Sequence, residues 1–219
     1  MISAILARLS AIDTCALSDA LDKLGLSGQV TGLNRESGRG RVAGVAVTVK
    51  LGTGDPAPGP PRHLGTAAIE ASDDHSVIVV EQRTGVEAGC WGGLLTRGAR
   101  LAKVRAVVAD GPVRDIDEAR ELDFPIFTNK LTCYTARGRV VEKGTNIPIE
   151  IGGAAVMPGD YVVADGSAVI VIRPGEVHAV LATAETIYAR EAAMIEEMGR
   201  GTKMSEVLGG NYEHLLAKD

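Results

Sequence analysis

An α/β fold is predicted by three features of the sequence. Short valine-rich segments alternate with amphipathic stretches through the middle of the chain. A run of strand candidates follows from Asn146 onward, with little helical periodicity. A long helix candidate with one apolar stripe then begins just after Pro174.

Taken in order, Ile2–Leu9 and Thr14–Leu24 read as amphipathic helices, the second ending at Gly25, a residue that accepts the left-handed conformation of a helix C-terminus. Gly40–Lys50 switches to a strand pattern rich in valine. Thr53–Pro61 (TGDPAPGPP) holds too many prolines and glycines for an element interior and is a loop. A helix over His63–Ala71 and the apolar strand Ser76–Val80 follow. Gly85–Gly93 is a glycine-rich approach to a helix over Trp91–Lys103. The strand Arg105–Asp110, a turn at Gly111, a short helix over Ile116–Leu122 and the strand Pro125–Phe127 complete a unit of short buried strands. Ile147–Ile151, Tyr161–Asp165 and Ala168–Arg173 are strands, with a turn at Pro158–Asp160. Pro174 then opens a helix that runs to Met198, roughly 36 Å long.

The chain has 219 residues, 45% of them hydrophobic, which suffices for one buried core, and no Pro/Gly/Ser-rich linker divides it. A single domain over 1–198 with a helical C-terminal extension over 199–219 is expected. An aromatic content of 3%, and Lys and Arg scattered in a chain of net charge −5, argue against nucleic-acid or acidic-membrane partners. Cys15, Cys90 and Cys133 form no CxxC or CxxH pattern, so zinc ligation is not expected and a reducing compartment fits. The opening residues lack a basic segment followed by a long apolar run, and no stretch is long enough to span a bilayer, so a cytoplasmic location is expected.

Chemistry concentrates in Val107–Ala119 (VVADGPVRDIDEA). An apolar strand there delivers Arg114 and Asp115 to its C-terminal end, where ligand crevices of open α/β sheets lie. Arg114 offers a planar fork suited to a carboxylate, and Asp115 offers hard oxygen to a cation such as Mg²⁺. The alternative is an Arg–Asp ion pair that caps the next helix. In Ala88–Leu95 (AGCWGGLL), Gly92 and Gly93 stand at a helix start whose free amides can take a carboxylate or phosphate; alternatively, they only let that helix approach the sheet. Neither a P-loop nor a GxGxxG fingerprint is present. On the last helix Glu191 falls on a stripe formed by Val177, Leu181, Ala184, Ile187, Tyr188, Ile195 and Met198; it needs a partner there unless it lies beyond the packed part. His63, His75, His178 and His214 show no ligand spacing, and Ser76 and Cys90 have no nearby histidine in sequence.

Trp91–Thr128 (WGGLLTRGARLAKVRAVVADGPVRDIDEARELDFPIFT) and Ile147–Ile172 (IPIEIGGAAVMPGDYVVADGSAVIVI) resemble the two signature blocks of the RraA-like family. The similarity extends over about residues 15–198. It implies a three-layer, swivelling β/β/α fold and a homotrimer, or a hexamer of two trimers, with active sites between subunits. Some members are aldolases that release pyruvate from 4-hydroxy-4-methyl-2-oxoglutarate or 4-carboxy-4-hydroxy-2-oxoadipate and decarboxylate oxaloacetate. Others are non-catalytic regulators that bind ribonuclease E or its helicase partners. By this resemblance Arg114 holds pyruvate and stabilises its enolate, and Asp115 is the direct ligand of Mg²⁺, Mn²⁺ or another divalent cation. The amides of Gly93, Leu94 and Leu95 bind the substrate carboxylate, and Glu191 orders metal-bound water in an adjacent subunit. Arg114, Asp115 and Glu191 are thus the expected catalytic residues for a metal-dependent lyase of small 2-oxo acids. Two alternatives are the regulator and a related lyase or hydratase. One position departs from the family: aldolases carry Glu or Asp where this chain has Gly93. Asp55 or His63, from the proline-rich loop and its edge, are the candidates to replace that carboxylate.

Overall fold

The computed structural model describes residues 2–56, 58–60 and 62–209. Its elements, in chain order, are α1 (Ile2–Ala11), α2 (Thr14–Leu24), β1 (Gln29–Val30), β2 (Asn34–Ser37), β3 (Val42–Gly52), α3 (Thr66–Glu70), β4 (Ser76–Glu81), α4 (Gly93–Leu101) and β5 (Ala106–Val113). There follow α5 (Ile116–Glu121), β6 (Ile126–Leu131), β7 (Val141–Thr145), β8 (Ile149–Ile151), β9 (Ala154–Val156), β10 (Tyr161–Ala164), β11 (Val169–Ile172), α6 (Val177–Gly199) and α7 (Met204–Val207). His214 and residues 210–219 of the expected C-terminal extension lie outside the described residues.

One mixed sheet organises the chain, in the order β1-β11-β10-β3-β4-β5-β6-β2, with β7 pairing the second half of β3. The strands β3, β4, β5 and β6 run parallel, and the rest of the sheet joins antiparallel. Side chains alternate across it with the two-residue period of a strand. Val47, Ile78, Val107 and Ile126 face α3, α4 and α5. On the same side, Ala43, Val163 and Ile170 face α1, α2 and α6. The other face, with Val79, Val108, Phe127 and Val162, is covered by Ile149, Ile151 and Val156 of the small β8–β9 hairpin. Helices, large sheet and hairpin are therefore three layers, β/β/α, as the family resemblance implies.

The valine-rich segments became the central strands because both of their faces are covered. The elements the sequence pattern did not show are short or polar. Strand β2 (Asn34–Ser37) pairs at the sheet's edge with β6, and β7 (Val141–Thr145) has no fully buried residue. Their strand state comes from pairing to a formed neighbour, not from their own periodicity.

Two expectations need correction. The strand containing Asp110 does not end there: β5 continues to Val113, and Ala109 and Pro112 pair with Thr128 and Lys130. Three steps on β5 thus oppose two on β6, so Asp110–Gly111 is a bulge, which is where a sheet tolerates the proline that follows. A β-carbon at Gly111 would lie 2.6 Å from Gln82 Cβ. The apolar stripe of α6 also stops early. Val177, Val180, Leu181, Ala184 and Ile187 are buried, whereas Tyr188 and Ile195 are exposed. Among the described residues, no side chain of α6 beyond Ile187 is fully buried.

Helix α2 is tied to the sheet by one carboxylate. Asp165, at the end of β10, accepts from the Thr14 amide (2.9 Å) and Thr14 hydroxyl (2.7 Å). Burial pushes the Asp165 pKa up, but hydrogen bonds from Ser167 and Thr14 and the nearby Arg41 outweigh it and leave the pKa below the usual value. A depressed folded-state pKa contributes stability above the unfolded pKa and loses it as pH falls through the folded one. Asp165→Ala is expected to cost about 1–3 kcal/mol near neutral pH. Urea melts should show this difference shrinking as the pH drops below the usual aspartate range.

Candidate functional site

The site begins where β5 leaves the sheet. The glycine-rich segment before α4 runs alongside that strand end as an added edge. Cys90 N–H donates to Pro112 O (2.7 Å), Arg114 N–H to Trp91 O (3.0 Å), and Gly89 N–H to Tyr134 O (3.0 Å). Trp91 is 1% exposed and fixes the turn from below. Its indole N–H donates to Thr96 Oγ1 (3.1 Å), whose hydroxyl donates to Gly92 O (3.0 Å).

Three glycines in this segment make room for three charged side chains. A β-carbon on Gly89 would stand 3.1 Å from Cγ and Cδ of Arg114. One on Gly92 would stand 3.0 Å from Asp115 Oδ2, and one on Gly93 would stand 2.7 Å from the Glu118 carboxyl carbon. The charged groups therefore lie flat against backbone that carries no side chains. The glycines let the helix start approach, and what it approaches is the Arg114–Asp115 turn.

Asp115 is itself held in the left-handed region, φ 57° and ψ 37°, which costs a non-glycine residue of order 1–3 kcal/mol. It occupies the N-cap position of α5, yet its side chain makes no capping bond there. Its Oδ2 instead accepts from the Gly93 amide (3.1 Å) and from Arg114 Nε (3.2 Å). The Arg–Asp pair is thus present, without the helix-capping role that accompanied it in the simpler reading. Both side chains are 36% exposed, so the pair is open to solvent.

The other predicted residues divide. Gly93, Leu94 and Leu95 form the first turn of α4, whose amides have no partner within the helix. The Gly93 amide is engaged by Asp115, and the Leu94 side chain projects 87% exposed. Among the described residues no hydrogen bond or ion pair joins Glu191 to Arg114; burial and the nearby Asp13 and Asp19 raise its pKa. Asp55 accepts from Lys143 through its backbone oxygen, and His63 borders an apolar cleft of about 360 Å³ between α3 and α4. The carboxylate against Gly93 belongs to neither of them but to Glu118. Sequence reasoning missed it, although a signal existed: Glu118 follows Asp115 by three residues, the spacing that puts both on one face of a helix turn.

One group of three metal-type side chains lies elsewhere among the described residues, Asp73, Asp74 and His75. It precedes β4, at the opposite end of the parallel strands from Arg114. Its contacts are internal: Asp73 accepts from His75 N–H (2.9 Å) and the Ser76 hydroxyl (2.8 Å), while His75 Nδ1 meets Asp74 and His75 Nε2 meets Ser3 Oγ (2.8 Å).

Comparison with known proteins now fits this geometry. Residues 14–171 match the RraA-like family, described as Aldolase/RraA. The chain belongs to the RraA-like family. A protein of Halalkalibacterium halodurans provisionally named 4-hydroxy-4-methyl-2-oxoglutarate aldolase is 31% identical, with 83% of this chain and 82% of that one covered. An uncharacterized protein of Methanocaldococcus jannaschii is 32% identical over 76% of this chain and 77% of its own. DlpA of Legionella pneumophila is 29% identical over 77% of this chain, but the match spans only 27% of DlpA. Among solved structures, an uncharacterized Pseudomonas syringae protein superposes with a TM-score of 0.83 at 28% identity, covering 94% of this chain and 96% of that one. RraAS2 of Streptomyces coelicolor, an unusual member of the RNase ES inhibitor RraA family, shares the fold with a TM-score of 0.73 at 24% identity, covering 90% and 95%.

In this RraA-like chain the cysteine near the site is inert. Burial pushes the Cys90 thiol up to about 12, whereas Cys15 and Cys133 are exposed. A thiol reagent at pH 8 is expected to modify Cys15 and Cys133 in the folded protein and to reach Cys90 only after denaturant is added. Mass mapping of the labelled peptides checks this.

Proposed function

We propose that this chain is a lyase that cleaves a 4-hydroxy-2-oxo dicarboxylic acid to pyruvate by a retro-aldol reaction, with a divalent cation held at Asp115. The observation that carries the reading is the Arg114–Asp115 pair, strained and solvent-open at the end of β5, beside the Leu94 and Leu95 amides of the α4 first turn.

The donor set fits Mg²⁺ or Mn²⁺. Magnesium keeps most of its water and is usually held by one or two carboxylates, and among the described residues Asp115 has no thiol or imidazole partner. When bound, such a cation supplies Lewis acidity to the 2-oxo group of the substrate. The remaining work falls to the chain. The Leu94 and Leu95 amides orient the 2-oxo acid's carboxylate at a helix N-terminus. Arg114 faces the 2-oxo oxygen and offsets the negative charge arriving there as the C3–C4 bond breaks. The 4-hydroxyl loses its proton and becomes the carbonyl of the leaving fragment, while C3 gains a proton and becomes the methyl group of pyruvate. Oxaloacetate would lose CO₂ through the same enolate.

Glu191 belongs in this reading as a group presented to an adjacent copy in a trimer or hexamer. It lies one turn past Ile187, the last fully buried residue of α6, and is itself half-buried. A protein-binding regulator is the second reading. The exposed Leu94 (87%) and Leu101 (85%) of α4 favour it, since they present apolar surface to a partner.

Pyruvate release from 4-hydroxy-4-methyl-2-oxoglutarate and from oxaloacetate, with Mg²⁺, Mn²⁺ or EDTA, separates the two. Metal-dependent release is expected, with Arg114→Ala and Asp115→Ala each lowering kcat/KM by about 100-fold or more. Wild-type turnover in Arg114→Ala would overturn the mechanism. Folded protein that releases no pyruvate with either metal would favour the regulator.

A further inference from the structure

We propose that the cleft between α3 and α4 is a substrate subsite, and that it takes an apolar C4 substituent larger than a methyl group. This rests on the lyase reading above and narrows its substrate class to 4-hydroxy-2-oxo dicarboxylic acids that carry an aryl or alkyl group on C4.

The cleft holds about 360 Å³, a size that suits part of a small ligand. Leu94 and Leu95 line it from the first turn of α4, Ile69 faces them from α3, and Gly98 lies one turn further along α4. The polar side chains at its border are engaged within the chain. The Thr66 hydroxyl donates to His63 O (2.7 Å), His63 Nδ1 meets Leu64 O (2.9 Å), and Glu70 pairs with Arg62 (3.7 Å). The surface left to meet an occupant is therefore mostly hydrocarbon.

Gly98 keeps that space open. It lies inside α4 without a left-handed φ. A β-carbon on it would stand 3.4 Å from Ile69 Cδ1, an ordinary van der Waals contact. Gly93 differs, since the Glu118 carboxyl fills the space above it. Neither backbone conformation nor a clash calls for glycine at position 98, and glycine weakens a helix interior relative to alanine. A longer side chain there would occupy the cleft.

The cleft also adjoins the proposed carboxylate site, because Leu94 and Leu95 serve both. Their amides stand at the N-terminus of α4, and the Cα–Cβ bonds of a helix lean toward that same end. Gly65, the N-cap of α3, lies against this turn: a β-carbon on it would stand 3.2 Å from Trp91 Cζ3 and 3.3 Å from Leu95 Cδ1. Both helices thus start at one end of the cleft. An oxo acid whose C1 carboxylate meets the Leu94 and Leu95 amides has the cleft within reach of a group carried further along its chain.

The test compares pyruvate release from 4-hydroxy-4-methyl-2-oxoglutarate and from 4-benzyl-4-hydroxy-2-oxoglutarate, which splits at C3–C4 into pyruvate and phenylpyruvate. The benzyl compound should have a kcat/KM at least about 10-fold higher. Gly98→Leu, which fills the cleft, should remove the preference, the benzyl compound losing at least about 10-fold more than the methyl compound. Gly98→Ala should melt above wild type and reduce the preference in part, which covers the case of a leucine variant that does not fold. Cleavage of the methyl compound with no preference for benzyl overturns the subsite and leaves the lyase reading standing. A benzyl preference retained by the folded Gly98 variants also overturns the subsite. No pyruvate from either compound, with folded protein and Mg²⁺ or Mn²⁺ present, overturns both.

Discussion

The close packing of charged side chains on bare backbone governs this site. Arg114, Asp115 and Glu118 rest on Gly89, Gly92 and Gly93, at distances that no β-carbon would allow without displacement. The glycine segment pairs with the end of β5 through backbone hydrogen bonds, so it cannot drift away. The charged residues emerge from that same strand end, so they are directed onto it. Trp91, fully buried below, keeps the turn into α4 from collapsing toward the sheet.

This arrangement stores strain where chemistry is proposed. A non-glycine residue in the left-handed region is sustained by its surroundings, here the Gly93 amide, the Arg114 guanidinium and the start of α5. The three-layer frame supplies the rigidity. The parallel strands β3 to β6 are buried on both faces, by helices on one side and the β8–β9 hairpin on the other. Even the hairpin is pinned to the strand ends by carboxylates, since Glu81 accepts from the Glu150 amide and Asp110 from the Gly152 amide, each at 2.8 Å. Polar groups at the carboxyl edge of the sheet thus divide their labour. Glu81 and Asp110 hold the layers together, and Arg114 and Asp115, beyond the bulge, are open to solvent.

The uncovered surface points outward in a consistent way. Leu94 and Leu101 on α4, and Tyr188 and Ile195 on α6, are large apolar side chains left exposed by a fold whose interior is otherwise well closed. The far half of α6 also carries Glu191, in an acidic neighbourhood with Asp13 and Asp19 that raises its pKa. Surfaces of this kind suit contact with a further copy of the chain or another protein, and Leu94 lies in the α4 first turn that carries the candidate site.

The sequence by itself determined the α/β class, the central strands and most helices, because their periodicity is strong and burial on both faces leaves valine few alternatives. The match at Trp91–Thr128 also brought Arg114, Asp115 and Gly93 into view together. Polar strands such as β2 and β7 stayed hidden, since edge pairing and not side-chain pattern makes them strands. Only the tertiary structure decided that Asp110 lies inside a bulged strand and serves the hairpin, and that Asp115 turns back toward Gly93 instead of capping α5. It also decided that the carboxylate beside Gly93 is Glu118. That contact joins residues 25 positions apart. Its cause is the packing of α4 beside α5, a relation between elements that periodicity along the chain does not encode.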